Sequence, residues 1–296
     1  MRQIPVFERT AILLAEECDR GIQNEENQAS ILHVRMALGE LLIVADGIGK
    51  STGGGVAARL VVESFYSHMM TLPASYPAEK AIREAAAVAN QRVLDSASAP
   101  DALYAHMAST VVIALVQQDA DVPHALVGHI GDCRAYLVRA ERLYRLTTDH
   151  SAAQSLLGWN LISPEEAQRH PDAAVVTRCL GLKPKVEIDI EDHPLAIGDT
   201  LLLCSHGLWG PVPEKEIEAA AIDEALGAAA HKLLELALAA GGRDSIAIEM
   251  ARLMVTLPPV APRKGELPLA FKWLVIIFLL AAAGLCVLLY EVFLRH

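Results

Sequence analysis

Runs of apolar residues along the chain are spaced as buried strands and one-faced helices require. Residues 41–44 form a continuous apolar run that ends in Ala45-Asp46-Gly47, and a glycine-rich loop follows. Beyond that loop, apolar residues recur at every fourth position, at Ala57, Val61, Phe65 and Met69. The run therefore predicts a buried strand, and the four-residue period predicts a helix directly after the glycine loop.

The same patterns predict further elements in both directions. Alternating apolar residues before position 45 predict strands, and Pro77 opens a second helix. Apolar or alternating runs predict further strands at residues 111–116, 125–130, 186–190, 201–205 and 246–255. An alanine- and leucine-rich stretch over about 223–240 predicts another helix, which Gly241 and Gly242 terminate. The chain thus alternates between groups of strands and groups of helices.

The end of the strand at residues 41–44 is the first candidate for chemistry. It delivers one carboxylate, Asp46, and the glycines after it let the backbone turn sharply and approach a ligand closely. A hard cation such as Mg²⁺ or Mn²⁺ prefers oxygen ligands of this kind. The alternative is a glycine-rich turn with a solvated aspartate, and this stretch alone leaves both interpretations open.

Composition narrows the class of protein. The chain has 296 residues, enough for one large domain or two small ones, and a net charge of -11 argues against a nucleic-acid partner. Its five cysteines are scattered without a C-x-x-C pair, which is typical of reduced intracellular thiols. The N-terminus carries Glu8 and Arg9 before any apolar run, so it lacks the pattern of a signal peptide.

The C-terminal region has a different character. Residues 273–290 are apolar on every face and contain no charge, over about the length that a helix needs to cross a bilayer. The alternative is a buried core helix. Trp273 and Tyr290 stand at its ends, as interfacial aromatic residues do. We expect a transmembrane helix over residues 270–292, a stiff proline-rich linker over 257–269 and a short tail over 293–296.

Basic residues set the expected orientation of this helix. Three of them precede the apolar run and one follows it, at Arg263, Lys264, Lys272 and Arg295. This bias predicts that the N-terminal side is cytoplasmic. The chain is therefore expected to be a membrane protein with a single-pass C-terminal anchor and a cytoplasmic N-terminal domain.

A family resemblance extends over nearly the whole chain up to about residue 255. ADGIGKSTGGGVAARL, at residues 45–60, resembles a signature of the PPM-type (type 2C) metal-dependent Ser/Thr protein phosphatases. Further blocks follow in the family's order: MASTVV at 107–112, GDCRAYL at 131–137, LTTDHS at 146–151, TRCLG at 177–181, LLLCSHGLWG at 201–210 and GRDSIAI at 242–248. The resemblance implies an α+β fold over residues 1–256, a four-layer α-β-β-α sandwich of two antiparallel sheets flanked by helices.

The resemblance also implies a set of metal ligands. Asp46, the Gly47 carbonyl and Asp244 occupy ligand positions of the family, and His206 stands where the family has an aspartate. Asp132 matches an aspartate that helps to hold a third, weaker metal, or it is a turn residue. Lys50, in the glycine loop, is a candidate to contact the substrate phosphate, or it is a solvated lysine.

Other positions depart from the family pattern. Asn24 replaces the arginine that grips the substrate phosphate, Gln28 and Ala29 replace an acidic pair, and Ser51 stands where many relatives carry a histidine general acid. Fewer carboxylates offset less metal charge, so we expect a divalent metal, Mn or Mg, with at most one tightly bound ion at this centre. Imidazole with two carboxylates suits Mn²⁺, Fe²⁺ or Zn²⁺ better than Mg²⁺.

These departures favour a phosphatase fold with weak or lost catalysis, a pseudophosphatase that binds a phosphoprotein or a Ser/Thr kinase near the membrane. One alternative is an active phosphoprotein phosphatase that uses a remodelled Asp46, His206 and Asp244 metal site. Another is a non-catalytic structural subunit of a membrane assembly. Metal stoichiometry and turnover distinguish the active enzyme from the other two.

Overall fold

Two antiparallel sheets form the centre of the molecule. The computed structural model describes residues 10–48, 53–98, 106–119, 122–163, 166, 172, 175–222 and 225–255. The strands are β1 (Thr10–Asp19), β2 (Ala29–Met36), β3 (Gly39–Ile48), β4 (Ala108–Asp119), β5 (Val122–Ile130), β6 (Arg134–Arg139), β7 (Arg142–Arg145), β8 (Asp189–Pro194), β9 (Thr200–Cys204) and β10 (Ile246–Val255). One sheet has the order β1-β10-β9-β6-β7 and the other the order β2-β3-β4-β5-β8.

Helices cover the outer face of each sheet. They are α1 (Gly53–Met69), α2 (Ala78–Ala97), α3 (Ala152–Gly158), α4 (His206–Trp209), α5 (Glu214–Ala221) and α6 (Leu226–Ala239). The apolar stripe of α1 packs with α2 against β3 and β4, and the stripe of α6 packs against β9 and β10. The predicted sandwich of two antiparallel sheets flanked by helices is confirmed.

The position of β3 in the fold explains why its residues 41–45 are all apolar. Leu41, Ile43 and Ala45 pack outward against the helices, whereas Leu42 and Val44 face the second sheet. A strand that is buried on both faces cannot show the alternation of a half-exposed strand. β3 is paired on both sides, with β2 and with β4, so its C-terminal end is fixed in position.

Some sequence-based boundaries are wrong. The strand predicted at residues 186–190 lies at Asp189–Pro194, where it pairs with β5 at the edge of its sheet. Ile188 packs into the helical layer instead, and Val186 lies against it. An edge strand has one unpaired side and polar residues, so its hydrophobic pattern is weak. The helices predicted after the glycine loop, after Pro77 and near 223–240 are present, with ends shifted by a few residues.

The C-terminal predictions cannot be compared with this fold. The linker at 257–269, the helix at 270–292 and the tail at 293–296 lie outside the described residues. Among the helices that are described, none combines the length and the apolar character that crossing a membrane requires. The transmembrane helix therefore stays a prediction.

Candidate metal centre

Strand ends from both sheets bring the predicted ligands to one end of the sandwich. Asp46 and Gly47 lie near the C-terminal end of β3, and Asp132 lies in the turn after β5. His206 lies at the start of α4, and Asp244 lies just before β10. The charges of Asp132, His206 and Asp244 all act on the Asp46 carboxyl, which also accepts a hydrogen bond from the His206 backbone amide. The predicted ligands therefore form one cluster.

Asp46 has the most strongly altered acidity of the cluster. Burial, followed by the negative charges of Asp132 and Asp244, raises its pKa to about 8, against the opposing effect of His206. Asp132 is 5% exposed, and burial raises its pKa as well. Carboxyl groups that are buried close to one another provide oxygen ligands for a cation. The donor set therefore fits a divalent ion.

Close backbone packing holds Asp46 and Gly47 in place. The Gly47 amide donates to the Gln28 carbonyl at 3.0 Å, and the hydroxyl of Ser109 donates to the Asp46 carbonyl at 3.0 Å. A Cβ on Gly47 would lie 2.0 Å from the Gly54 carbonyl oxygen. Only glycine lets the start of α1 approach the strand end this closely.

His206 is held between its helix and Asp244. Its Nδ1 lies 3.1 Å from a carboxylate oxygen of Asp244, and its ring packs edge-on against Trp209 with the ring centres 4.7 Å apart. A Cβ at Gly210 would lie 2.7 Å from Nε2, so the ring occupies the space that this glycine leaves open. As arranged, His206 binds an ion only if it turns or releases Asp244.

The charge of His206 follows from these neighbours. Burial lowers its pKa, but the hydrogen bond to Asp244 and the charges of Asp132 and Asp46 outweigh burial, so the pKa is raised. The same bond lowers the pKa of Asp244. The imidazole therefore offsets part of the negative charge that an ion would otherwise neutralise.

The positions that depart from the family pattern lie beside this cluster and make structural contacts. Ala29 pairs directly with Asp46 across β2 and β3. The Ser245 hydroxyl accepts from the Gln28 amide at 2.9 Å and from the Asn24 side chain at 3.4 Å. Asn24 and Gln28 thus tie the loop before β2 to the strand that follows Asp244. Lys50 and Ser51 lie outside the described residues.

A buried cation beside the cluster was missed by sequence analysis. The Arg134 guanidinium lies 3.4 Å from the centre of the Trp209 ring and pairs with Asp149 at 2.7 Å. The Trp209 indole donates to the Asp132 carbonyl at 2.8 Å. Arg134 thus supports, through Trp209, both the Asp132 turn and the His206 ring. The sequence offered one signal for this contact, because Arg134 is a charged residue in a block of mostly apolar ones.

A separate group of possible metal ligands contains two histidines and an aspartate. His129, His150 and Asp189 place one ligand atom each within 4.8 Å of one another, closer than the groups around Asp46 among the described residues. The Gly131 amide donates to His150 Nδ1 at 3.0 Å, so Nε2 carries the proton and donates to Asp189 at 3.0 Å. The spacing suits a metal, but these hydrogen bonds already use both nitrogens of His150.

Comparison with known proteins decides the family. A sequence model of the family described as protein phosphatase 2C matches residues 20–225. This chain belongs to the protein phosphatase 2C family. The chain is 35% identical over 216 residues to the serine/threonine phosphatase stp of Listeria monocytogenes, covering 70% of this chain and 82% of that protein. It is 30% identical over 242 residues to the protein phosphatase PhpP of Streptococcus pneumoniae, covering 79% and 95%.

Solved structures of the phosphatase 2C family share the sandwich. The Mycobacterium tuberculosis serine/threonine phosphatase PstP/Ppp superimposes with a TM-score of 0.73 at 31% identity, over 82% of this chain and 99% of that one. A structure of the PstP catalytic domain with two manganese ions gives a TM-score of 0.71 at 29% identity, over 83% and 99%. The PstP domain therefore holds two metal ions on a scaffold similar to this one.

Divalent-ion affinity should rise with pH up to about 8. Asp46 must lose its proton before it binds a cation, and its pKa in the ion-free protein is about 8. Displacement of one proton lowers the apparent affinity about tenfold for each pH unit below that value. Calorimetric Mn²⁺ titrations in buffers of different ionisation enthalpy measure both the affinity and the released proton. Affinity that is unchanged between about pH 6 and about pH 8 would contradict this assignment.

Proposed function

We propose that this chain is a membrane-anchored phosphatase 2C-family protein whose catalysis is weak or lost and which binds phosphoproteins or a Ser/Thr kinase. The observation that carries the proposal is the position of Ala29, directly opposite Asp46, where a methyl group takes the place of a carboxylate. The scaffold around this position is intact, because β2, β3 and the close contact of Gly47 with Gly54 are all formed.

The charge balance supports at most one tightly bound divalent ion at this centre. Asp46, Asp132 and Asp244 carry at most three negative charges, and the hydrogen bond of Asp244 to His206 uses part of one. Two divalent ions would leave positive charge uncompensated in a partly desolvated site, which is costly. One Mn²⁺ or Mg²⁺ would be held by Asp46, the Gly47 carbonyl and Asp132 or Asp244.

In an active relative, a bound metal neutralises the phosphate and lowers the pKa of a water molecule. The residues of this chain are less suited than those of the family to binding the substrate phosphate. Asn24 donates its amide to the Arg20 carbonyl at 3.0 Å and is part of the loop rather than a phosphate clamp. An amide also lacks the charged, bidentate fork with which arginine grips a phosphate. Arg243 lies within electrostatic reach of Asp244 and lowers its pKa, so one cation remains at the rim.

The second candidate function is an active phosphoprotein phosphatase with a remodelled metal site. It is favoured by the convergence of Asp46, Asp132 and Asp244 on one cluster. Histidine with carboxylates suits Mn²⁺, so release of His206 from Asp244 would complete such a site. A structural role in a membrane assembly is the third alternative, and it requires neither metal nor turnover.

Restoring the family's residues should restore turnover. Ala29→Asp adds a carboxylate beside Asp46, His206→Asp returns a metal ligand and Asn24→Arg returns the phosphate clamp. The residues act on one centre, so the single changes should do little. The triple variant with saturating Mn²⁺ should hydrolyse a phosphopeptide at least about 10²-fold faster than the parent, the usual cost of a missing preorganised group.

Single-turnover assays of the parent, the single variants and the triple variant measure this gain. A triple variant with Ala29→Asn in place of Ala29→Asp controls for size without charge and should stay slow. A parent that matches the triple variant would mean that the remodelled site is a working enzyme. A triple variant that binds two metals and stays inactive would reveal a further defect, with Lys50 and Ser51 the first positions to test.

Membrane attachment is the other part of the proposal. The charge-free run at residues 273–290 supports it. We expect the full-length protein to fractionate with membranes and to resist carbonate and high-salt extraction, because the apolar helix is held by hydrocarbon. A chain that ends near Pro259 should be found in the soluble fraction. Full-length protein that stays in the soluble fraction would show that the anchor prediction is wrong.

A further inference from the structure

A buried acid lies in the apolar space between the two sheets, away from the candidate metal centre. Glu249, on β10, is 0% exposed, and neither of its carboxyl oxygens has a hydrogen-bond partner. Its strand neighbours Ala247 and Ala251 face the same inter-sheet core as Leu42 and Val44. An ionised carboxylate in such a place is costly unless a cation or donors compensate for it.

A second acid faces the first across the strand pair. Glu16 on β1 is directly opposite Glu249 in the antiparallel register, so both side chains lie on the same face of the sheet. Ile12 and Leu14 on β1 pack against the inter-sheet core, which confirms that this face of β1 points inward. Like charges directly opposite one another destabilise a strand pair. The two acids together therefore need compensation.

The pair is open to solvent on one side. β1 and β2 are edge strands of their sheets, and Glu16 is exposed although it lies on the inward face. On this same face Cys18 bridges the two edges, since its thiol lies 4.0 Å from the Ala29 carbonyl and 3.1 Å from the Asn27 amide nitrogen. A hydrated ion can reach Glu16 from solvent, and Glu249 lies behind it.

We propose that Glu16 and Glu249 form a binding site for a hard divalent cation, separate from the Asp46 centre. Two carboxylates carry the charge that neutralises one divalent ion, and with such an ion beside it Glu249 would ionise although it is buried. Oxygen ligands alone select Mg²⁺, Mn²⁺ or Ca²⁺ over softer metals, and solvent on the Glu16 side supplies the waters that these ions keep.

The raised pKa of Glu249 agrees with a missing positive charge beside it. Burial, and then the charge of Glu16, raise the pKa of Glu249 well above its usual value. In the absence of an ion, burial and the charge of Glu16 therefore favour the neutral form of Glu249.

Mn²⁺ counting by electron paramagnetic resonance on the full-length chain tests the proposal. The Asp46→Asn, Asp244→Asn double variant removes the first centre and should still bind one Mn²⁺. Adding Glu249→Gln should abolish this binding, and adding Glu16→Gln should weaken it at least about tenfold, since each removes one of two charged ligands. Glu17→Gln is the matched control, because Glu17 points to the outer face and contacts His231.

Both possible results decide the question. Glu249→Gln removes a buried acid without changing its size, so the variant should melt in chelator at or above the temperature of its parent. A folded Glu249→Gln variant that still binds one Mn²⁺ would overturn the proposal. So would unchanged affinity in the Glu16→Gln variant, which alters an exposed side chain and does not threaten folding. Loss in both variants with retention in Glu17→Gln would establish the site.

Discussion

Mutual repulsion among the carboxylates at one end of the sandwich is the constraint on which the site depends. The antiparallel sheets bring Asp46, Asp132 and Asp244 into electrostatic contact, and burial makes their charges more costly. Burial, and then this repulsion, raise the pKa of Asp46 to about 8. A positive charge must compensate for this repulsion, and in this chain a side chain can provide part of it.

His206 can supply positive charge from within the protein, because its carboxylate neighbours raise its pKa against the effect of burial. Its bond to Asp244 favours the imidazolium form, and the missing side chain at Gly210 makes room for the ring. The change at position 206 is therefore accommodated by its surroundings rather than imposed on them. Arg134 reinforces the arrangement, because its guanidinium stacks on the Trp209 ring that contacts His206.

The substituted loop residues show a similar accommodation. The Asn24 side chain and the Gln28 backbone amide both donate to the Ser245 hydroxyl, and these bonds hold the loop before β2 to the start of β10. Ser245 follows directly after Asp244. The loop before β2 is therefore fixed directly next to a predicted metal ligand.

The elements that the sequence predicted well are those with a strong hydrophobic pattern and extensive burial. β3, α1 and α2 were found near their predicted places because every apolar position has a packing partner. β8 was misplaced because an edge strand needs few apolar residues. Asp46, Asp132, His206 and Asp244, which the motifs singled out, lie within electrostatic reach of one another, and their assignment as metal ligands stays a prediction.

What the sequence did not predict depends on contacts between distant segments. The stacking of Arg134 on Trp209, and the space that Gly210 leaves for His206, follow from tertiary packing and have no local pattern. The inward direction of Glu249 is likewise known only from the strand register, because the sequence shows an acidic residue in an apolar strand and nothing of its partner.

The most direct test of the account is the number of ions in the Asp46 centre. Anomalous scattering from crystals soaked at low-micromolar Mn²⁺ locates each ion as well as counting it, so the Glu16 and Glu249 region is judged separately. The account predicts at most one well-occupied peak among Asp46, Asp132 and Asp244, with His206 still bonded to Asp244 or turned toward that ion. Two well-occupied peaks bridged by Asp46 would contradict it and would indicate an intact bimetal site.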